Sequence, residues 1–249
     1  MPNKSISRHL ALIPARGGST GVKDKNLQRI DGKSLVSIAW DNCLEAKLFD
    51  NIMLSTDSQK IAHLIFPDFS FQEVGNDSIT FVNSTAAVHK RHKKLSTKHS
   101  SIYDLLKHIA LKSELNFDYL WLIQPTTPFR CLSEFSKISR MINQNSHFTS
   151  IVSIKNVGGS HPDRMYSKST KYLRPLMPKN NDKSIPRQKL PSLFIKDGGY
   201  YVFRRNLLNK NIYLGKHILP FIRSNEGNVN IDTIDDLNYA RFIAKINKE

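Results

Sequence analysis

The sequence predicts an α/β fold with a mostly parallel, Rossmann-like sheet and helices on both of its faces. Short apolar runs alternate along the chain with stretches whose apolar residues recur at helical spacing. This alternation is typical of parallel sheets in which the helix after each strand packs back on the sheet. Because 249 residues can bury a substantial core, we expect residues 1–249 to form a single domain.

The strands are predicted from apolar runs that are too short to be helices. They cover residues 10–14, 52–56, 119–123 and 149–154. Amphipathic helices are predicted at residues 101–115, 133–143 and 234–246. Ser133 is the expected N-cap of the second helix, because a serine oxygen can accept the free backbone N–H groups of a first turn.

Two segments interrupt the alternation of strands and helices. Residues 68–98 are polar, and residues 158–196 are loop-like and contain several prolines. The second segment lies between two predicted strands. We therefore expect it to be an irregular insertion or flap of the domain rather than a linker between domains.

Cysteine usage and the first residues of the chain indicate the compartment. Cys43 and Cys131 lie far apart and show no CxxC spacing, which favours a reducing, intracellular environment. Residues 1–8 are polar, and the apolar run at 10–13 is too short for a signal peptide or a membrane span. We expect a cytoplasmic protein that has no membrane partner.

The chain is strongly basic, with 37 lysines and arginines against 21 acidic residues. A basic surface attracts anions and speeds their encounter with the protein. The anion could be a nucleic acid, a membrane surface or a small phosphorylated substrate, and charge alone does not choose among them. Many of the lysines lie in polar stretches, where they keep the chain in solution.

The densest basic run covers residues 89–94. It lacks the interleaved aromatic residues that stack on bases, and no nucleic-acid motif surrounds it, so we expect no nucleic-acid partner. His89, His92 and His99 lie in or beside this run. The first two could bind a metal if they shared a helix, but no carboxylate or cysteine joins them in sequence. We expect a solvated basic face instead.

A glycine-rich loop directly after the first predicted strand is the most informative motif. It reads IPARGGSTG over residues 13–21 and continues as VKDKN over residues 22–26. Glycines at a strand's carboxyl end let backbone N–H groups approach a phosphate closely, and Arg16 adds a planar charged donor fork. The spacing is neither that of a Walker A loop nor G-x-G-x-x-G. The loop is therefore predicted to bind phosphate, with Lys23 and Lys25 adding positive charge.

The loop resembles the I-P-A-R-G-G-S-K-G and K-N signature of the acylneuraminate cytidylyltransferases, which make CMP-activated nine-carbon sugar acids from CTP. Other landmarks of this family follow in order. They are STD at 55–57, LIQPTTPFR at 122–130, PRQKLP at 186–191, DGGYY at 197–201 and IDTIDDL at 231–237. The resemblance runs from about residue 10 to about residue 240, and it implies a cytidylyltransferase acting on a 2-keto nonulosonic acid.

The resemblance also implies roles for individual residues. Catalysis would depend on Arg16, Lys25 and Asp232. The nucleotide would be bound by Ala15, Arg16, Gly18, Ser19, Gly21, Lys25, Asn26, Arg91 and Ser100. The sugar acid would be bound by Gln124, Arg164, Arg187 and Asp197. The implied cofactor is Mg²⁺, held by Asp232 with Asn230, and the implied assembly is a homodimer to which the segment 158–196 contributes a dimerisation flap.

The chain departs from the family pattern at three places. Thr20 stands where the family has a lysine, so Lys23 or Lys25 would have to supply the missing charge. Asn230 stands where the family usually has a second acid, and an amide oxygen binds Mg²⁺ more weakly than a carboxylate. The family motif R-P-x-x-L-A-x-D-x-x-S is recognisable only in part after Arg91, with Lys98 in place of its aspartate.

These departures leave other functions open. Without the family resemblance, Asp232 would be interpreted as a helix cap and Arg187 as a solvated surface residue. The same chemistry on another sugar or nucleotide is the nearest alternative. A weakly active paralogue that binds nucleotide is a second, and a nucleic-acid-binding protein, indicated by charge alone, is a third.

Overall fold

A computed structural model describes residues 7–19, 21–112, 114–177, 186–223 and 228–247, without the side chain of Arg187. Within these residues the main sheet has eight strands in the order β12-β8-β11-β7-β1-β4-β6-β5. The strands of the chain are β1 His9–Pro14, β2 Arg29–Ile30, β3 Lys33–Ser34, β4 Asn51–Thr56, β5 Ile79–Phe81, β6 Ala86–Lys90, β7 Tyr119–Leu122, β8 Ser150–Asn156, β9 Tyr166–Lys168, β10 Leu173–Pro175, β11 Phe194–Arg204 and β12 Ile218–Ile222.

Helices follow most of the parallel strands. They are α1 Leu35–Ala46, α2 Gln59–Ile65, α3 Ile102–Lys112, α4 Leu132–Gln144, α5 Arg205–Leu208 and α6 Ile234–Ile246. β1 lies at the centre of the sheet, parallel to both β4 and β7. β11 lies inside the sheet and runs antiparallel to both β7 and β8. β5 forms one edge of the sheet and runs antiparallel to β6. The sheet is therefore mostly parallel, as the sequence predicts.

The two faces of the sheet bury separate apolar cores. Alternate residues of β1 point to opposite sides, so Ala11 and Ile13 join one core while Leu10 and Leu12 join the other. α1, α2 and α4 cover the first core, and α3 and α5 cover the second. The expectation of helices on both faces is confirmed.

The predicted strands and helices all exist, with small shifts at their ends. The largest shift in a helix affects α3, which begins at Ile102 and ends at Lys112. The expected N-cap of α4 is wrong, because the helix begins one residue before Ser133 and its N-cap is Cys131. The Cys131 N–H donates to Glu134 Oε2 at 3.1 Å, so this first turn has a carboxylate partner.

The described parts of the two interrupting segments contain strands that the sequence did not predict. Residues 158–196 contain the antiparallel pair β9–β10, and β11 already begins at Phe194. Residues 68–98 contain β5 and β6. Both segments lack the long apolar runs that reveal central strands, because β5 and β9 are short strands with exposed residues.

Candidate active site

A cavity of about 430 Å³ opens where β1, β6 and β7 end. Ligands of open α/β sheets bind in this position, beyond the carboxyl ends of the strands. The cavity is lined by Pro14, Arg16, Ser19, Gly21, Lys25, Asn26, Arg91, Leu95, Thr97, Lys98, Ser100, Ser101, Ile102, Leu105, Gln124, Pro125, Thr126 and Asp232. The structure therefore brings most of the residues predicted for the site to one place.

The charged residues of the cavity wall are mainly cationic. Arg16, Lys25, Arg91 and Lys98 line it, and Asp232 is the carboxylate among the described lining residues. A concave wall with an excess of positive charge concentrates anions and stabilises them once they are bound. The arrangement suits a ligand that carries several negative charges.

The glycine-rich loop is held by the ends of β1 and β4. The Ala15 N–H donates to the Ser55 carbonyl at 2.9 Å, and the Gly17 N–H donates to Asp57 Oδ1 at 2.8 Å. The buried Asn26 donates from Nδ2 to the Arg16 carbonyl at 2.9 Å. These bonds fix the backbone of the loop before any ligand arrives, which lowers the entropy that binding must remove.

The start and the end of the chain meet at the cavity through Lys25. Its Nζ donates to the Ile231 carbonyl at 2.8 Å and to Asp232 Oδ1 at 3.0 Å. Gly21 lies against the same segment, because a Cβ added there would stand 2.4 Å from the Asp232 carbonyl oxygen. The Ile231 N–H also donates to the Thr126 carbonyl at 2.8 Å, so three loops form one wall.

Arg91 is a buried arginine at the inner end of the cavity. Its Nη2 donates to the Ser55 carbonyl at 2.7 Å and its Nε donates to Ser55 Oγ at 3.1 Å. Burial lowers the pKa of Arg91 to about 10, while the nearby Asp57 carboxylate raises it and Arg16 lowers it. The guanidinium stays charged at pH 7 and adds a fixed positive group to the wall.

The histidine beside Arg91 is buried as well. The His89 side chain is 0% exposed, and its Nδ1 hydrogen-bonds Ser55 Oγ at 2.9 Å. Burial lowers its pKa to about 4, so the imidazole is neutral at pH 7. The prediction of a solvated basic face is therefore wrong for His89 and Arg91, which are buried at the end of β6 and directly after it. Lys93 and Lys94 are exposed as predicted.

Ser100 and Arg16 organise the loop before α3. The Ser100 hydroxyl donates to the Lys94 carbonyl at 2.7 Å and accepts from the Thr97 N–H at 3.0 Å. Arg16 Nη1 donates to the Thr97 carbonyl at 3.0 Å. This loop brings Lys98 to the cavity. In the structure Ser100 stabilises a loop, and its predicted contact with nucleotide stays a prediction.

Gln124 lies on the opposite wall, directly after β7. Its carbonyl accepts hydrogen bonds from Arg130 Nη2 at 2.7 Å and from the Thr127 hydroxyl at 3.1 Å. Gly198 has a φ of +81°, a left-handed conformation that favours glycine, and it packs against Thr127 and Gln124. The backbone beneath Gln124 is thus fixed, and its side chain is free to line the cavity.

Several predicted residues lie apart from the cavity wall. Arg164 is exposed in a 3₁₀ turn, and the backbone of Arg187 begins another such turn. Asp197 is buried and accepts from the Ser153 hydroxyl and, at 2.9 Å, from the Gly199 N–H. Gly18 and Ala15 belong to the glycine-rich loop without lining the cavity, and Thr20 lies outside the described residues. Asp197 therefore stabilises the sheet here, and its role in sugar binding stays a prediction.

The residues predicted to hold Mg²⁺ fit a weakly chelated ion. The Asp232 carboxylate lines the cavity and is 67% exposed, with Oδ2 accepting from Asn230 Nδ2 at 2.8 Å. Mg²⁺ commonly takes one or two carboxylates and fills its other positions with phosphate and water. The interpretation of Asp232 as a helix cap is wrong, because Thr233 is the N-cap of α6.

Some residues that build the cavity were not predicted. Ser55 and Asp57 matched a family motif without a role, and they hold Arg91 and the glycine-rich loop. In the sequence, Lys98 was noted only because it replaces the aspartate of a family motif, yet it lines the cavity. Thr20 stands where the family has a lysine, and Lys23, one of the two expected replacements, does not line the cavity. Among the described residues, Lys25 and Lys98 are the lysines that do.

Comparison with known proteins decides the family. Residues 10–242 match the family described as cytidylyltransferase. The chain belongs to this family. It is therefore a nucleotidyltransferase, and the resemblance to acylneuraminate cytidylyltransferases predicted from the motifs is confirmed.

Relatives of this cytidylyltransferase bear several different names. It is 26% identical over 254 residues to pseudaminic acid cytidylyltransferase of Campylobacter jejuni, covering 97% of this chain and 98% of that protein. It is 23% identical to post-translational flagellin modification protein B of Campylobacter coli, with 96% of each chain covered. It is 22% identical to N-acylneuraminate cytidylyltransferase of Escherichia coli over 93% of this chain, which spans 51% of that longer relative.

Solved structures support the fold. A CMP:2-keto-3-deoxy-manno-octonic acid synthetase complexed with CTP superposes with a TM-score of 0.66 at 16% identity, covering 97% of this chain and 100% of the other. A 4-diphosphocytidyl-2C-methyl-D-erythritol synthase from Anaerococcus prevotii gives a TM-score of 0.58 at 14% identity, covering 96% of this chain and 99% of the other.

In the described part of this cytidylyltransferase, none of the helices is long and apolar enough to cross a membrane.

We expect Gly21→Ala to lower kcat/KM for CTP by about 10- to 100-fold, because its Cβ would push the loop away from the Asp232 backbone and misplace its charged groups. Pyrophosphate release measures the rate. Gly75→Ala is the matched control, since no atom lies within 4 Å of a Cβ at that position. Equal losses in both variants, or none in Gly21→Ala, would contradict the close packing described here.

Proposed function

We propose that this cytidylyltransferase joins CTP to a 2-keto nonulosonic acid of the sialic type, giving the CMP-sugar and pyrophosphate. The observation that carries the proposal is the cationic cavity at the ends of β1, β6 and β7, built on the glycine-rich loop. The names of full-length relatives, which include a pseudaminic acid cytidylyltransferase, support a nonulosonic acid as the second substrate. A cytoplasmic location would supply CTP.

The triphosphate would lie between the glycine-rich loop and Arg91. Arg16 and Lys25 would bind its oxygens from the loop side, with Ser19 and Asn26 beside them. Arginine suits this task because its planar fork can make two charge-assisted hydrogen bonds to one phosphate. The nucleotide-binding roles of Ala15, Gly18, Gly21 and Ser100 are proposed on the family resemblance.

The sugar acid would lie towards Gln124. This side chain lines the wall opposite the glycine-rich loop, and its backbone is fixed by Arg130 and Thr127. Arg164 is exposed in the segment 158–196 and does not line the cavity, so the proposed contact of this arginine and of Arg187 with the sugar carboxylate requires that segment to reach the site. A movement of it, or a second protomer, would bring them there.

The reaction would be an in-line displacement at the α-phosphorus. The anomeric hydroxyl oxygen of the sugar forms the new P–O bond, the bond to the β-phosphate oxygen breaks, and the hydroxyl proton is lost to solvent or a nearby base. Arg16, Lys25 and Arg91 neutralise charge that grows on the pyrophosphate as it leaves. Mg²⁺, held by Asp232 with Asn230 nearby, would add further neutralisation of the phosphates.

We further propose that the active form is a homodimer. The hairpin β9–β10 and the start of β11 expose large apolar side chains, including Tyr172 at 67%, Leu173 at 64% and Ile195 at 53%. Exposed apolar patches of this kind commonly mark protein–protein contacts. A second copy of the chain is the proposed partner, and the hairpin is the proposed dimerisation flap.

The substrate assignment is tested by pyrophosphate release with a panel of nucleotides and nonulosonic acids. We expect CTP with Mg²⁺ to support turnover far better than ATP or GTP. Equal or better turnover with GTP would contradict the choice of CTP. Nucleotide binding without turnover on any sugar would instead favour a nucleotide-binding paralogue.

Arg16→Ala should lower kcat/KM by about 100-fold or more, because a charge-assisted phosphate contact contributes roughly 1.5–3 kcal/mol and more when it tightens in the transition state. Arg16→Lys should recover only part of the loss, since a point charge cannot replace the planar fork. Steady-state kinetics with CTP measure both variants. Wild-type kinetics for Arg16→Ala would remove this arginine from the phosphate site.

Asp232→Asn should nearly abolish activity, because no carboxylate would then remain at the proposed Mg²⁺ site. Asn230→Asp should lower the Mg²⁺ concentration for half-maximal rate, since an added negative charge beside a divalent cation is favourable. Mg²⁺ titrations of initial rate measure both effects. An unchanged Mg²⁺ dependence in Asn230→Asp would show that position 230 is not a ligand.

Sedimentation velocity tests the proposed dimer. We expect wild type to sediment with twice the mass of one chain, and Tyr172→Asp to shift it towards the monomer because a charge would be buried in the interface. Leu44→Asp, at a residue 50% exposed on α1, is the control and should leave the dimer intact. A monomeric wild type at micromolar concentration would contradict the dimer.

A further inference from the structure

A second cluster of chemically active side chains lies behind the cavity, between β6, α3 and the loop that precedes β5. It consists of Asp77, His89 and His108, whose candidate ligand atoms all lie within 4.8 Å of one another. None of these residues lines the cavity described above. The cluster was not foreseen, because its members are far apart in sequence and only His92 was considered as a metal-binding partner of His89.

The separations in the cluster are close to those between the ligand atoms of a tetrahedral metal site. His108 Nε2 lies 2.8 Å and His89 Nε2 lies 3.3 Å from the same atom, Asp77 Oδ1. Zinc–nitrogen and zinc–oxygen bonds of about 2.0–2.2 Å at tetrahedral angles separate ligand atoms by roughly 3.3 Å. The separation between His89 and Asp77 equals this value, and His108 would have to move away from Asp77 by about 0.5 Å to make room for the ion.

One polar atom in this cluster lacks the well-aligned hydrogen bond that burial normally demands. His108 Nε2 is buried without a hydrogen bond of acceptable geometry, although it lies close to Asp77. Asp77 has a φ of 64°, a left-handed conformation that non-glycine residues adopt rarely. An unsatisfied buried nitrogen needs an explanation, and a bound cation would satisfy it.

The remaining atoms of the cluster are held by neighbours, while the converging atoms contact one another. Lys112 Nζ bonds Asp77 Oδ2 at 2.7 Å, so Oδ1 is left for the histidines. His89 Nδ1 lies 2.9 Å from Ser55 Oγ. With a metal on Nε2, Nδ1 would donate its proton to that hydroxyl, the outer contact by which ligating imidazoles are commonly oriented.

We propose that Asp77, His89 and His108 bind one Zn²⁺ ion, with water as the fourth ligand. Two imidazoles and a carboxylate form a ligand set that zinc accepts in proteins. The ion joins β6 to α3, the two elements that flank the cavity loop carrying Lys98. It also lies next to Ser55, which holds Arg91. Zinc binding therefore stiffens the inner wall of the cavity, a role independent of which sugar the enzyme uses.

Isothermal titration of tag-free, chelator-treated protein with ZnCl₂ tests the proposal. We expect one ion per chain, with the Kd raised about tenfold or more by His108→Gln or by Asp77→Asn. His99→Gln is the matched control, since this histidine is exposed and outside the cluster, and it should leave the Kd unchanged. Wild-type protein that takes up no Zn²⁺, or variants that bind it as wild type does, would overturn the site.

Cobalt substitution gives a readout that does not depend on the variants folding. Wild-type protein loaded with Co²⁺ should show the intense visible absorption of a four-coordinate ion, and added Zn²⁺ should abolish it by displacement. The weak spectrum of six-coordinate Co²⁺ would overturn the proposed geometry.

Discussion

The contact of Lys25 with Ile231 and Asp232 is the interaction on which the cavity depends. It joins the loop after the first strand to the segment before the last helix, across almost the whole chain. Gly21 allows the two segments to touch, and Ile231 carries the connection on to Thr126. The cavity therefore exists only after the entire sheet has formed, because its walls come from opposite ends of the sequence.

A second constraint acts beneath the cavity, where charged and polar side chains are buried and hydrogen-bonded to one another. Ser55 bonds Arg91, His89 and the backbone of Ala15, so one hydroxyl and one carbonyl set the position of the glycine-rich loop and of a fixed cation. Such a network is stable only when its members are satisfied. Burial lowers the pKa of Arg91, and an anionic ligand would raise this pKa again because it favours the charged guanidinium.

Much of this organisation could be predicted from sequence. The alternation of apolar runs and helical periods identified the parallel sheet, and the position of IPARGGSTG after the first strand located the cavity. Residues 89–94 could not be predicted correctly, because a basic run gives no sign that a strand will bury His89 and Arg91. The order in the segment 158–196 was missed for a related reason, since short edge strands lack a strong apolar pattern. Asp77 and His108 meet only through the fold.

The central claim is that the cationic cavity binds the triphosphate of CTP. A crystal structure with Mg²⁺ and a non-hydrolysable CTP analogue tests it most directly. We expect phosphate oxygens within hydrogen-bonding distance of Arg16 and Lys25, with the ion between them and Asp232. An analogue bound outside this cavity, or bound in it with its phosphates turned away from the glycine-rich loop, would contradict the account.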